Sequence, residues 1–346
     1  MKKDKHSKKR RELKVDNISR DKLEQVFLRS WRPYLWIVVM GLIVFFQILF
    51  FDFTTLDDTL LIIKNYDYIS NLSNLPKIFV EDVFPSFIRD DAYYRPILTL
   101  SFMFDAQLGG KSSMMYHLTN ILLHLLVSCS VFAMLSRFFG KTLGVFFMTL
   151  VFLVHPVQVQ AIAWIPGRND SLLALFSVFT VVTFLYYNEK YTVGKLIVHL
   201  ACFFLALLSK ETAIVLPIVL LLYNFLISRK AILSRQNIML HIGWLIALVP
   251  WYYLREMVAY RVSFSQFKLP WSLFIHNLSA FFLNIGKVFI PVNLSTYPIL
   301  EDSALIYGFV VVAIVFQLLT TLQKKIKHIY GLGQCGLLFS HYHRFS

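Results

Sequence analysis

The chain has 346 residues, of which 57% are hydrophobic, 16% aromatic and only 16% charged, with a formal net charge of +14 and a mean hydropathy of +0.61. A soluble domain carries about 25% charged residues and has too little interior to hide 33 Phe and 17 Tyr, because buried volume grows too slowly with size. Soluble, fibrous and disordered classes are excluded, and the chain reads as an all-α polytopic membrane protein.

Residues 1–33 hold 12 Lys/Arg against five Asp/Glu. The run stops where the first apolar segment begins, which reads as a basic cytoplasmic tail that fixes orientation and not as a nucleic-acid arm. It is too long and too charged for the start of a cleaved signal peptide. A bilayer core of about 30 Å takes roughly 20 apolar residues per helix. Stretches of that kind fall at 34–51, 117–137, 142–162, 171–187, 194–209, 211–227, 238–254 and 304–322. With the tail inside, Arg137 and Lys141, Lys190 and Lys195, and Arg229, Lys230 and Arg235 all fall in inside loops, as the positive-inside rule asks. The alternate connections, 52–116, 163–170 and the break at Ser209–Lys210–Glu211, then face outside.

The stretch 271–290 sets the count. Trp271, Phe274, Ile275, Leu278, Phe282, Ile285 and Phe289 recur on one helical face while Asn277, Asn284 and Lys287 interrupt the rest. That pattern reads as an interfacial or re-entrant helix. Leaving it out gives eight spans and puts Lys324, Lys325 and Lys327 inside. The domain reading is a tail at 1–33, one transmembrane domain at 34–322 with its first extracytoplasmic loop at 52–116, and a short tail at 323–346.

The first outer loop is acidic, with nine Asp/Glu against four Lys/Arg between Asp52 and Asp105. Asp57 and Asp58 stand directly after the first span. Adjacent carboxylates there can divide acid and base work or bind a cation, since one raises the pKa of the other; equally, Asp57 can cap the following Leu60–Ile63 run. Asp90 and Asp91 form a similar pair. His117, Asn120 and His124 share one face of the second span, His155-Pro156 closes the third, and Lys210-Glu211 breaks two apolar helices. Polar groups at such depth face a cavity, a partner or a pathway, or bond between helices. Arg95 and Arg168, both at the outer interface, suit a lipid phosphate because a guanidinium pairs with two oxygens at once. Cys129, Cys202 and Cys335 are far apart and form no metal or disulfide pattern.

Five stretches in order carry a family resemblance: Phe51-Asp52-Phe53 with Asp57-Asp58 and Asn65; Tyr94-Arg95-Pro96; Tyr116-His117 with Asn120 and His124; His155-Pro156 through Gln160, Trp164 and Gly167-Arg168 to Asp170; and Ser209-Lys210-Glu211-Thr212-Ala213. Together they resemble the membrane domain of the transmembrane and tetratricopeptide-repeat O-mannosyltransferases and their bacterial relatives, within the GT-C class of polyprenyl-phosphate-sugar glycosyltransferases. The resemblance implies a GT-C-like helical bundle, a polyprenyl-phosphate sugar as donor, and a protein Ser/Thr hydroxyl or a lipid-linked glycan as acceptor. It carries the acidic residue of the first outer loop onto Asp57 or Asp58, as general base or acceptor-positioning group. The arginine after the His-Pro motif falls on Arg168, expected to hold the donor phosphate, with Lys210 as a second cation. His117, Arg95, His155, Asp170 and Glu211 complete the expected substrate site. No cofactor is required by these residues, and a divalent cation stays open. Two departures stand out. Gln160 replaces a Glu common in the family, and no 34-residue repeat follows the last span, so the chain reads as the membrane domain without its repeats. A transporter or a silent membrane scaffold is the competing reading. Composition favours a bacterial inner membrane over the endoplasmic reticulum.

Overall fold

The structure, a computed structural model, describes residues 24, 26–85, 92–228, 231, 234–262, 271–294 and 305–331. Most of the basic tail, the Asp90-Asp91 pair, Arg229, Lys230 and Cys335 lie outside the described residues. All regular elements among the described residues are helical, as expected of an all-α membrane protein. The chain divides into two compact units, Met1–Ser265 and Gln266–Ser346.

In the first unit the long helices are α1 (Arg32–Phe45, extended by a 3-10 turn over Phe46–Phe50), α2 (Pro96–Gly109), α3 (Ser113–Phe139), α4 (Leu143–Leu153), α5 (Arg168–Glu189), α6 (Val193–Ser209), α7 (Leu216–Tyr223) and α8 (Arg235–Val262). Local chemistry sets their starts. Pro33 and Pro96 sit in the first turns of α1 and α2, where a missing N–H costs nothing. The hydroxyls of Thr142 and Thr192 accept from the Val145 and Lys195 amides as N-caps of α4 and α6.

Among the described residues five helices are long and apolar enough to cross a membrane: Arg32–Phe50, Ser113–Phe139, Ile165–Glu189, Glu211–Ser228 and Arg235–Tyr260. A sixth crossing is α4 together with Pro156–Ala163, bent by 45°. The bend falls at His155-Pro156, where proline has no N–H to continue the ladder. Against the eight expected spans, length and composition mark five or six among the described residues. Hydropathy marks Val193–Ser209 and Leu305–Leu318 as apolar, but both are shorter. At 1.5 Å per residue, the 17 residues of α6 reach only about 26 Å.

Three apolar clusters hold the first unit. Ile37, Phe45, Ile121, Leu125 and Phe146 lock α1 to α3 and α4. Phe184, Phe203, Leu207, Leu240 and Trp244 join α5, α6 and α8. The third cluster shows that the segment after α1 forms a packed cap: Leu61, Ile62, Ile69 and Ile78 bury against Phe102 and Met103 of α2 and Tyr116 of α3. Large side chains such as Ile43, Phe147, Phe225 and Ile246 point outward uncovered, which a bilayer tolerates and water does not.

In the second unit α9 (Trp271–Phe289) pairs with α10 (Leu305–Gly331). Phe282 stacks on Phe309 with ring centroids 4.3 Å apart. The helices touch at Gly308, where an added Cβ would stand 2.0 Å from the Phe282 carbonyl oxygen. Part of the apolar face read as interfacial is therefore used for helix pairing.

Gly167 shows the same kind of constraint beside the expected site. A Cβ there would sit 2.4 Å from the Gln160 carbonyl oxygen and 3.0 Å from the Ala161 Cα, so the turn into α5 closes only on glycine. Gly167→Ala is expected to cost about 1–3 kcal/mol and to lower the thermal unfolding midpoint. Gly194→Ala, in a helix with nothing within 4 Å, is expected to leave it unchanged or raise it, by at most about 1 kcal/mol. Equal midpoints for both variants would contradict the close approach.

Candidate active site

Arg168 opens α5 and is fully buried. Its Nη2 pairs with Asp105 Oδ2 of α2 at 2.6 Å and donates to the Tyr116 carbonyl of α3 at 2.8 Å. Nε donates to Asn120 Oδ1 at 2.6 Å and Nη1 to Ser101 Oγ at 3.1 Å. The guanidinium also lies over the Phe102 ring, 4.8 Å from its centroid. Asn120 turns its amide nitrogen to the carbonyls of Ile162, Trp164 and Ile165, while Asp105 accepts a further bond from Thr119 at 2.6 Å. The cation expected at a donor phosphate thus has its donors committed inside the protein, where it ties α2, α3, α5 and the preceding turn together.

Beside it, at the same end of α5, four charged side chains form two pairs. Arg95 grips Glu211 bidentately, Nε to Oε2 at 3.2 Å and Nη2 to Oε1 at 2.8 Å, and lies over the Tyr93 ring. Lys210 Nζ meets Asp170 Oδ1 at 2.5 Å. Five of the expected residues, Arg95, Arg168, Asp170, Lys210 and Glu211, are therefore brought to one place from three parts of the sequence. The two outer pairs differ in accessibility: the side chains of Arg95 and Glu211 are 13% and 36% exposed, those of Lys210 and Asp170 22% and 51%. A surface pair is worth only about 0–1 kcal/mol, so the Lys210–Asp170 pair is the easier of the two to separate.

The first-loop carboxylates have unlike surroundings. Asp57 is half-buried, whereas Asp58 is fully buried. Asp58 Oδ2 accepts from the Thr54 amide at 2.7 Å, and its Oδ1 has no hydrogen-bond partner. Burial raises its pKa above the ordinary 3.8, and the charge of Asp57 adds to the rise, against the lowering effect of the Thr54 amide. The segment leading to them is fixed by Phe53, whose ring stands edge-on to Tyr116 at 5.7 Å, and by Phe51 against the buried His117 ring at 6.2 Å. The carboxylate turn thereby leans on the residue whose carbonyl holds Arg168.

His155 and His124 act locally. His155 Nδ1 accepts from the Val157 amide at 3.3 Å as cap of the turn after the break. His124 Nε2 donates to the Leu153 carbonyl at 2.8 Å, holding α3 to the end of α4. Among the described residues no three His, Cys, Asp or Glu side chains gather as cation ligands. Asp105 and Ser101 were not singled out from the sequence. The signal was a lone carboxylate in the apolar run Ile97–Ala106, which needs a cationic partner once that run is helical and packed.

The fold and site define a helical membrane protein with a buried Arg–Asp pair and an ionic quartet at one end of its bundle. Residues 96–253 match the family described as dolichyl-phosphate-mannose-protein mannosyltransferase. The chain is 34% identical over 152 residues to protein O-mannosyl-transferase TMTC1 of Homo sapiens, covering 40% of this chain and 17% of that protein. It is 31% identical over 121 residues to Tmtc1 of Drosophila melanogaster (35% and 14%), and 31% over 153 residues to TMTC2 of Mus musculus (42% and 18%). The chain thus spans less than a fifth of the length of these relatives. No solved structure matches. The resemblance to the transmembrane and tetratricopeptide-repeat O-mannosyltransferases is shown, and its family match runs from α2 into α8. These three relatives are animal proteins, which gives a bacterial membrane no support. Asp57 and Asp58 precede the matched residues.

Removing one partner of the buried pair, by Arg168→Gln or Asp105→Leu, is expected to cost about 3–5 kcal/mol because the other is left uncompensated. The double variant is expected to recover part of that loss, read as thermal midpoint and yield of folded protein. Additive losses would contradict the pairing.

The raised pKa of Asp58 gives a second expectation. The fold favours its neutral form, so its contribution to stability is full below the ordinary carboxylate value and is lost as pH rises through the raised one. Asp58→Asn stays neutral and keeps an oxygen for the Thr54 amide. It is expected to melt above wild type at pH 7 and together with it near pH 3; a lower midpoint at pH 7 would overturn this account.

Proposed function

We propose that the chain is a membrane glycosyltransferase that moves a hexose, mannose, from a polyprenyl-phosphate donor to a Ser or Thr hydroxyl of a protein, on the side of the membrane opposite its cytoplasmic N-terminus. The observation that carries this reading is the match of residues 96–253 to a mannosyltransferase family, since that region contains Asp170, Lys210 and Glu211 of the ionic quartet. An endoplasmic reticulum membrane suits a polyprenol-linked donor and the animal origin of the relatives named above.

In this reading the acceptor oxygen attacks the anomeric carbon, the bond from that carbon to the donor phosphate breaks, and the polyprenyl phosphate leaves with the bonding pair. Asp57 takes the acceptor proton, because it is the accessible one of two carboxylates at the bundle end. Lys210, released from Asp170, meets the phosphate as its charge grows, with Arg95 and Glu211 behind it; stabilising charge where it develops is a leading source of rate enhancement. Arg168 takes no part in bonding the donor and instead positions α5, so that Asp170 and Lys210 face the same opening. A non-catalytic scaffold is the second reading, favoured by the fact that each of these cations already has a carboxylate partner.

The test is transfer from labelled dolichyl-phosphate mannose to peptide acceptors, in membranes lacking endogenous activity, at matched expression. Asp57→Asn is expected to lose about 10²–10⁴-fold, the usual contribution of a general base, without loss of folded protein. Absence of transfer by wild type across polyprenyl donors would favour the scaffold, and equal transfer by Asp57→Asn would remove Asp57 from the chemistry.

A further inference from the structure

The far end of α5 holds a second polar site. At 1.5 Å per residue the 22 residues of this helix put Glu189 about 33 Å from the Arg168 end, close to the thickness of a bilayer core. There a cavity of about 220 Å³ opens between the ends of α3, α5 and the α7 segment, lined among others by Arg137, Phe138, Asn188, Glu189, Tyr223 and Ser228. That is smaller than the roughly 300–1,000 Å³ of pockets that enclose a drug-sized ligand, but it is wide enough for a polar headgroup whose chains stay outside.

The lining sets the chemistry. Arg137 pairs through Nη2 with Glu189, and its guanidinium lies over the Tyr186 ring at 4.3 Å. Nε and Nη1 meet no acceptor among the described residues, and two donors remain for an anion. Glu189 is 63% exposed and offers a carboxylate beside that cation. A simple anion is opposed by Glu189 and a simple cation by Arg137, whereas a molecule carrying both charges a few ångströms apart satisfies both. Around the opening Phe139, Phe225 and Leu226 are exposed, providing apolar surface at the depth where acyl chains begin. We infer that this cavity seats the headgroup of a zwitterionic phospholipid in the leaflet opposite the candidate active site, with the phosphate on Arg137 and the ammonium on Glu189.

The experiment uses the full chain, purified and stripped of lipid in detergent, and reads binding by native mass spectrometry and the midpoint of thermal unfolding. Phosphatidylethanolamine, phosphatidylglycerol (phosphate without amine) and diacylglycerol (neither), all with the same chains, are titrated beside soluble phosphoethanolamine. Phosphatidylethanolamine is expected to bind most tightly and to raise the midpoint, with diacylglycerol inert. Arg137→Gln is expected to weaken phosphatidylethanolamine about tenfold by loss of charge-assisted bonds to phosphate. Glu189→Gln, an exposed change that leaves folding intact, is expected to abolish the preference over phosphatidylglycerol and decides the matter alone if Arg137→Gln does not fold. Equal binding of all three lipids, preference for phosphatidylglycerol, wild-type selectivity in Glu189→Gln, or phosphoethanolamine binding as tightly as the lipid would each overturn the inference.

Discussion

A guanidinium taken completely out of water is tolerable only where its charge and its N–H groups all find partners, and Arg168 meets that condition through four residues of α2 and α3. Each partner fixes a different element. Asp105 and Ser101 orient α2, Tyr116 and Asn120 orient α3, and Asn120 passes the constraint to the turn before α5 through three carbonyls. Gly167 is what lets that turn approach closely enough. The ionic quartet outside the node inherits its position, because Asp170 sits in the first turn of α5 and Arg95 directly precedes α2. The cap formed by the segment after α1 rests on the same support through Phe53 and Tyr116.

The helical layout was legible because a bilayer imposes one length scale, and apolar runs of about that length appear wherever the chain crosses it. The break at His155-Pro156 was legible from proline chemistry. Which apolar runs form helices of full spanning length was not, because hydropathy scores composition while length depends on where a helix breaks, and α6 is a shorter apolar helix. At the site, the residue types were readable but their pairing was not. Arg168 and Arg95 look alike in sequence, each an arginine at the outer end of an apolar segment. One is closed on all sides and the other retains an exposed edge, a difference made by Asp105, which lies far from Arg168 in the chain. A buried arginine in a membrane bundle calls for a carboxylate as strongly as for a ligand phosphate, and only packing chooses between them.

That choice redistributes the chemistry expected of the family. With Arg168 committed to the fold, the cations left for an anionic substrate are those whose partners are partly in solvent. Arg95 and Glu211 form the stiffer pair, bidentate and largely covered, so their separation leaves two charges poorly solvated. Lys210 and Asp170 share a single contact in a wetter setting, and a lysine swings on a flexible stem. Under the proposed function, an incoming phosphate would meet a graded pair of cations, Lys210 the more exposed and Arg95 the more firmly held.

The two first-loop carboxylates follow the same logic of unequal environments. Burial favours the neutral form of Asp58, while its neighbour Asp57 is the more accessible of the two. Asp58 is placed to be that neutral partner, with one oxygen on a backbone amide and the other in a dry surrounding. Division of labour between adjacent acids thus needs no difference in residue type, only a turn that points one side chain inward, and Phe51 and Phe53 anchor the segment from which that turn is made.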